Sequence, residues 1–93
     1  PAAEAFPAPV KFYGTEICKD CAEALCLFAE KGFTGFSYMD IGLSTGSLKE
    51  FLALRDSRPE FRQVREDGGL GIPCFLRPDG SICFEPEELL ESQ

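Results

Sequence analysis

"ICKDCAEAL", Ile17 to Leu25, places Cys18 and Cys21 on either side of Lys19 and Asp20. A Cys-x-x-Cys pair is a redox couple, half of a metal site, a structural disulfide or coincidence. The flanking sequence narrows these readings. Before it, Val10-Lys11-Phe12-Tyr13 alternates briefly and stops at Gly14, the pattern of a strand. From Cys18 to Gly32 the chain has no breaker and is rich in Ala, Leu, Glu and Lys, which predicts a helix closed by Gly32. Cys18 therefore stands just after a strand and a short loop, at the mouth of a helix. Unpaired N–H groups and the positive end of the helix dipole favour an anion there, and a thiolate is the anion at issue. Lys19 supports that charge, while Glu16 and Asp20 oppose it. Cys21 lies three residues on, close to one helical turn, so its sulfur can reach back to Cys18. In that arrangement Cys18 is the exposed nucleophile and Cys21 the resolving thiol.

The rest of the chain supplies the frame. Residues 35 to 42, "GFSYMDIG", read as a short aromatic strand, and Ser47-Leu48-Lys49-Glu50 as a capping box opening a second helix. Pro59 interrupts that helix, and "EFRQVRE" adds a turn or two. "DGGLG", residues 67 to 71, is loop. "IPCFLRPDGSICFE" holds two apolar runs joined by Pro78-Asp79-Gly80, the signature of a hairpin. "PEELLES" closes the chain as a helix with Pro86 in its first turn. The order β-α-β-α-β-β-α predicts an α/β fold: a four-stranded mixed sheet flanked by helices, its β-α-β start parallel and right-handed.

Composition limits the function. Ninety-three residues with 44% hydrophobic content and nine Phe suffice for one modest core. We read residues 1–8 as an N-terminal tether without the basic n-region of a signal peptide, and 9–93 as a single domain. No apolar run is long enough to span a membrane. A net charge of −7, from 16 acidic and 9 basic residues, argues against nucleic acid and anionic membranes as partners. Histidine is absent, which removes Ser–His and Cys–His catalysis and any His-ligated metal. Five cysteines, an odd number unevenly spaced, do not form a secreted disulfide framework and suit a reducing cytoplasm. Cys26, Cys74 and Cys83 are expected to fill the core. With no second Cys-x-x-Cys, no metal site is assigned within one chain.

"VKFYGTEICKDC" followed by helix, and later "GLGIPCFLRPDGSICF", together resemble the glutaredoxin branch of the thioredoxin-fold proteins. The resemblance spans roughly residues 9 to 91. It implies a thioredoxin-like, glutaredoxin-type fold in which the Ile72–Pro73 bond is cis and faces the cysteine pair. It also implies that Ile72 offers its backbone to an extended thiol substrate, like an added strand. Tyr13, Thr15 and Lys19 are expected to line the same groove. Three departures stand out. Lys19 and Asp20 replace the family's Pro and aromatic residue, and Gly14-Thr15-Glu16 lacks its basic residue. Glu85-Pro86-Glu87-Glu88 stands where the family has a Gly-Gly-x-Asp turn that grips glutathione.

The expected activity is thiol–disulfide exchange, with a disulfide-bearing protein or small thiol as substrate. Glutathione, as co-substrate, or a thiol reductase would supply electrons, and no tightly bound cofactor is expected. The alternatives are a metal- or iron–sulfur-binding or delivery module using the same pair, possible across two chains, and a non-catalytic thioredoxin-fold binding domain.

Overall fold

The computed structural model describes residues 8–92. Residues 1–7 of the expected tether lie outside them. The chain forms β1 (Val10–Gly14), α1 (Lys19–Lys31), β2 (Phe36–Asp40) and α2 (Thr45–Ser57). A 3-10 turn (Pro59–Phe61) leads into α3 (Arg62–Glu66), followed by β3 (Cys74–Leu76), β4 (Ile82–Cys83) and α4 (Pro86–Glu91). The strands make one mixed sheet in the order β2-β1-β3-β4. β1 runs parallel to β2, with Phe12 beside Tyr38. It runs antiparallel to β3, with Phe12 opposite Phe75 and Tyr13 opposite Cys74, and β4 pairs antiparallel with β3.

β1 is central, and its successive residues Phe12 and Tyr13 are both buried because each meets a different helical layer. On one face Phe12, Cys21, Ala24, Phe28, Phe75, Cys83 and Leu89 pack together, joining the sheet to α1 and α4. On the other, Tyr13, Ile41, Phe51, Phe61 and Cys74 join it to α2 and the 3-10 turn. Phe12 is the hub of the first face, its ring centroid 4.7 to 5.8 Å from those of Phe28, Phe36, Tyr38 and Phe75. Burying one Phe side chain contributes about 1.5–3 kcal/mol. The edge-on contacts with Phe28, Tyr38 and Phe75 suit the ring quadrupole.

The helix ends follow local chemistry. Gly32 takes φ +67°, and the Phe33 N–H donates to the Phe28 carbonyl at 2.9 Å, closing α1 in a Schellman turn. The start of α2 corrects the sequence reading. Its cap is Ser44, whose Oγ accepts the Ser47 N–H at 3.2 Å, and Ser47 lies buried within the first turn. Both serines are competent caps; Ser44 prevails because Thr45 and Gly46 already take helical conformation. Cys26 is a second correction. It is exposed, because five residues past the buried Cys21 brings it well round the helix, onto the solvent side. Cys74 and Cys83 are buried, as expected. Among the described residues no helix is long and apolar enough to cross a membrane.

Candidate active site

The geometry starts at the end of β1. After Gly14 the chain turns through Thr15 to Ile17, with the Cys18 N–H donating to the Thr15 carbonyl at 3.1 Å. Cys18 then caps α1 from extended backbone, and its Sγ accepts the Cys21 N–H at 3.3 Å. A sulfur occupies the place of the usual hydroxyl or carboxylate cap. Cys18 is half-buried, while Cys21 is fully buried and packed in the first core face.

Gly14 makes room for the pair. A Cβ built there would stand 2.9 Å from the Cys21 sulfur and 3.0 Å from the Phe12 ring. Any larger residue would displace the inner thiol.

Burial pushes the Cys21 thiol up to about 12, reinforced by its hydrogen bond to Cys18 and by the nearby Asp20 charge, against a lowering contact with the Thr15 backbone. The pair is thus asymmetric: an accessible sulfur at a helix mouth and a sheltered, protonated partner beneath it. Tyr38 lies on the same face of the sheet. Its hydroxyl is buried and finds no hydrogen-bond partner among the described residues. Burial, and then Cys21, push its ionisation up to about 12.

A groove of about 490 Å³ opens between α1, the Gly71–Pro73 approach and the segment from Phe84 to Glu87; Asp20, which stands between the two cysteines in sequence, lines it, while Cys18 and Cys21 themselves do not. Ile72 and Pro73 both line it, and their peptide bond is cis. Among the described residues the Ile72 backbone N–H and C=O make no hydrogen bond. Gly71 holds the approach at φ +98°, its α-carbon against the Phe61 ring. Arg55 fixes the preceding loop by donating to the Gly69 and Leu70 carbonyls at 2.5 and 3.0 Å.

The other expected groove residues fall differently. Thr15 is half-buried, with its Oγ1 against Gly42, and Lys19 is exposed at the first turn of α1. Neither lines the groove. Tyr13 lies on the opposite face of the sheet, only 1% exposed, because alternation along β1 sends it toward α2. Its hydroxyl donates to Glu50 at 3.2 Å, and burial followed by that carboxylate pushes its ionisation up to about 12.

Two basic residues that could hold a glutathione carboxylate are engaged elsewhere. Lys11 pairs with Glu50 at 3.1 Å, and Arg65 donates to the Arg55 and Arg58 carbonyls at the end of α2. Missing from the sequence reading were the α1 residues of the groove, Asp20, Glu23, Ala24 and Leu27. Their spacing of three, four and seven is that of one helix face and marks them in retrospect. Among the described residues no three Cys, Asp or Glu side chains cluster as metal ligands.

The chain is 36% identical over 83 residues to an uncharacterized protein of Haemophilus influenzae, covering 87% of this chain and 92% of that one. No family model matches the chain, and no solved structure does.

Proposed function

As the chain belongs to the same family as that Haemophilus influenzae protein, we propose that it is a cytoplasmic thiol–disulfide oxidoreductase of glutaredoxin-like type, built on a thioredoxin-like fold. One observation carries the reading: the half-buried Cys18 sulfur caps α1, directly over a buried Cys21 thiol. The strand order, the glycine that admits the inner sulfur and the cis Ile72–Pro73 bond on the groove support it.

In the proposed reaction the Cys18 thiolate attacks one sulfur of a substrate disulfide. A Cys18–substrate disulfide forms, and the other substrate sulfur leaves as a thiolate that takes up a proton. Cys21 then loses its proton to solvent and attacks the Cys18 sulfur, releasing the second substrate thiolate. The substrate gains two electrons and the protein keeps a Cys18–Cys21 disulfide, which an external thiol reductant reopens. Burial raises the Cys21 pKa to about 12 and keeps it a thiol, so the more accessible Cys18 is the first to attack. Ile72, whose backbone groups are unpaired among the described residues, pairs with the substrate chain as an added strand.

Two variants test the scheme. Cys18→Ser should abolish reduction of a small neutral disulfide such as bis(2-hydroxyethyl) disulfide. Cys21→Ser should accumulate a mixed disulfide on Cys18, seen as a mass increment on the intact protein. Full turnover by Cys18→Ser would sink the proposal.

A further inference from the structure

The groove that begins at Asp20, two residues past Cys18 in the chain, carries one sign of charge. Asp20 and Glu23 approach it from α1, and Glu85 and Glu87 from the start of α4, with no basic residue in the lining. Among the described residues, none of these four carboxylates pairs with a basic side chain or accepts a side-chain hydrogen bond. The ion pairs that do form lie elsewhere, between Lys11 and Glu50, Arg55 and Asp56, Arg58 and Glu60, and Arg62 and Glu66. Lys19 is nearby but outside the lining. Four carboxylates around one cleft repel each other and focus a negative potential into it.

The rest of the lining is apolar: Leu27, Val64, Ile72, Pro73 and Phe84. Apolar surface with a few charged groups suits the stems and heads of long basic side chains. Two further features favour a polypeptide over a small molecule. The Ile72 backbone is free to pair along the groove, and Ile17, immediately before Cys18, is 94% exposed, an apolar contact for a chain that passes the sulfur.

We propose that this groove docks a basic polypeptide segment, so that the preferred substrates are disulfides flanked by lysine or arginine. The inference rests on the dithiol reading above and assigns it a substrate class. It also disfavours net-negative thiols such as glutathione as occupants of the groove.

The test uses the reduced full-length chain and three peptides of equal length. Each carries one cysteine in mixed disulfide with 2-mercaptoethanol, flanked by Lys, Gln or Glu. Single-turnover reduction rates are divided by the rate of each peptide with free dithiothreitol, which removes intrinsic differences in reactivity. Exposed ion pairs each contribute about 1.4-fold to fivefold. The Lys peptide should therefore lead the Glu peptide by about tenfold at low ionic strength and by less than about twofold near 1 M salt, where the screening length is about 3 Å.

The triple variant Glu23→Gln, Glu85→Gln, Glu87→Gln should erase most of the difference between the Lys and Glu peptides. Equal Lys and Glu rates, or a preference that survives both salt and the triple variant, would overturn the proposal. So would cystamine matching the Lys peptide, since then any small cation suffices. Fluorescence anisotropy with a labelled Lys peptide lacking cysteine separates the two readings. Binding without reduction of any peptide rejects the dithiol chemistry and keeps the groove; reduction without charge preference does the reverse.

Discussion

The sulfur of Cys18 accepts the backbone N–H of Cys21 at 3.3 Å, so the more accessible thiol of the pair is also the cap of the helix that carries the other. The structural role and the proposed chemical role meet on one atom, and substitution separates them.

Cys18→Ser keeps an acceptor at the cap, and Cys18→Ala removes it. In denaturant titrations under reducing conditions the serine variant should be at least as stable as the parent, and the alanine variant less stable than the serine by about 0.5–1 kcal/mol. Equal stability of the two would mean that the contact does not cap the helix.

Gly14→Ala places a methyl 2.9 Å from the Cys21 sulfur and 3.0 Å from the Phe12 ring, in a core with no slack. Overpacking of this kind costs about 1–3 kcal/mol. Gly46→Ala, in the first turn of α2 with only the Ser44 hydroxyl at 3.6 Å, is the matched control and should be neutral or stabilising, since Ala is the better helix former. A Gly14 variant as stable as the Gly46 variant would contradict the packing described.

Alkali should destabilise the protein in a definite window. Burial raises Cys21 and Cys74 to about 12, and raises Cys83, each from an ordinary value of 9.0. Below about pH 9 these thiols are protonated in both the folded and unfolded chains. Above it the unfolded chain releases protons that the folded one retains, so stability falls as pH rises toward 12. Each such group adds a slope of at most about 1.4 kcal/mol per pH unit. The melting temperature measured between pH 8 and 11 should fall steadily. Cys74→Ala should lower stability at pH 8 through the cavity it leaves, yet flatten the alkaline slope.

Much of this arrangement was legible in the chain itself. Breakers and caps are local signals, so Gly14, Gly32, Pro59, Pro78-Asp79-Gly80 and Pro86 marked the element order. The cysteine pair was legible because its spacing and its place after a strand are both local. Three features were not. Tyr13 was assigned to the groove, but strand alternation turns it to the other face. Cys26 sits in an apolar run, Leu25 to Phe28, and only the position of the sheet decides which of those residues point inward. The charged groove joins α1 to residues more than sixty positions later, a juxtaposition made by tertiary packing. The engagement of Arg65 is likewise tertiary, since only the fold sets its guanidinium against the carbonyls at the end of α2.

The central claim is that Cys18 and Cys21 form a reversible redox pair. Equilibration in graded glutathione buffers, followed by alkylation and mass mapping of every cysteine, tests it directly. Cys26, exposed, reports on reagent access, and the buried Cys74 and Cys83 report on unfolding. The account predicts one two-electron transition confined to Cys18 and Cys21, with a midpoint between about −300 and −120 mV. A pair that never closes in that range, or closure that involves Cys74 or Cys83 instead, would contradict it.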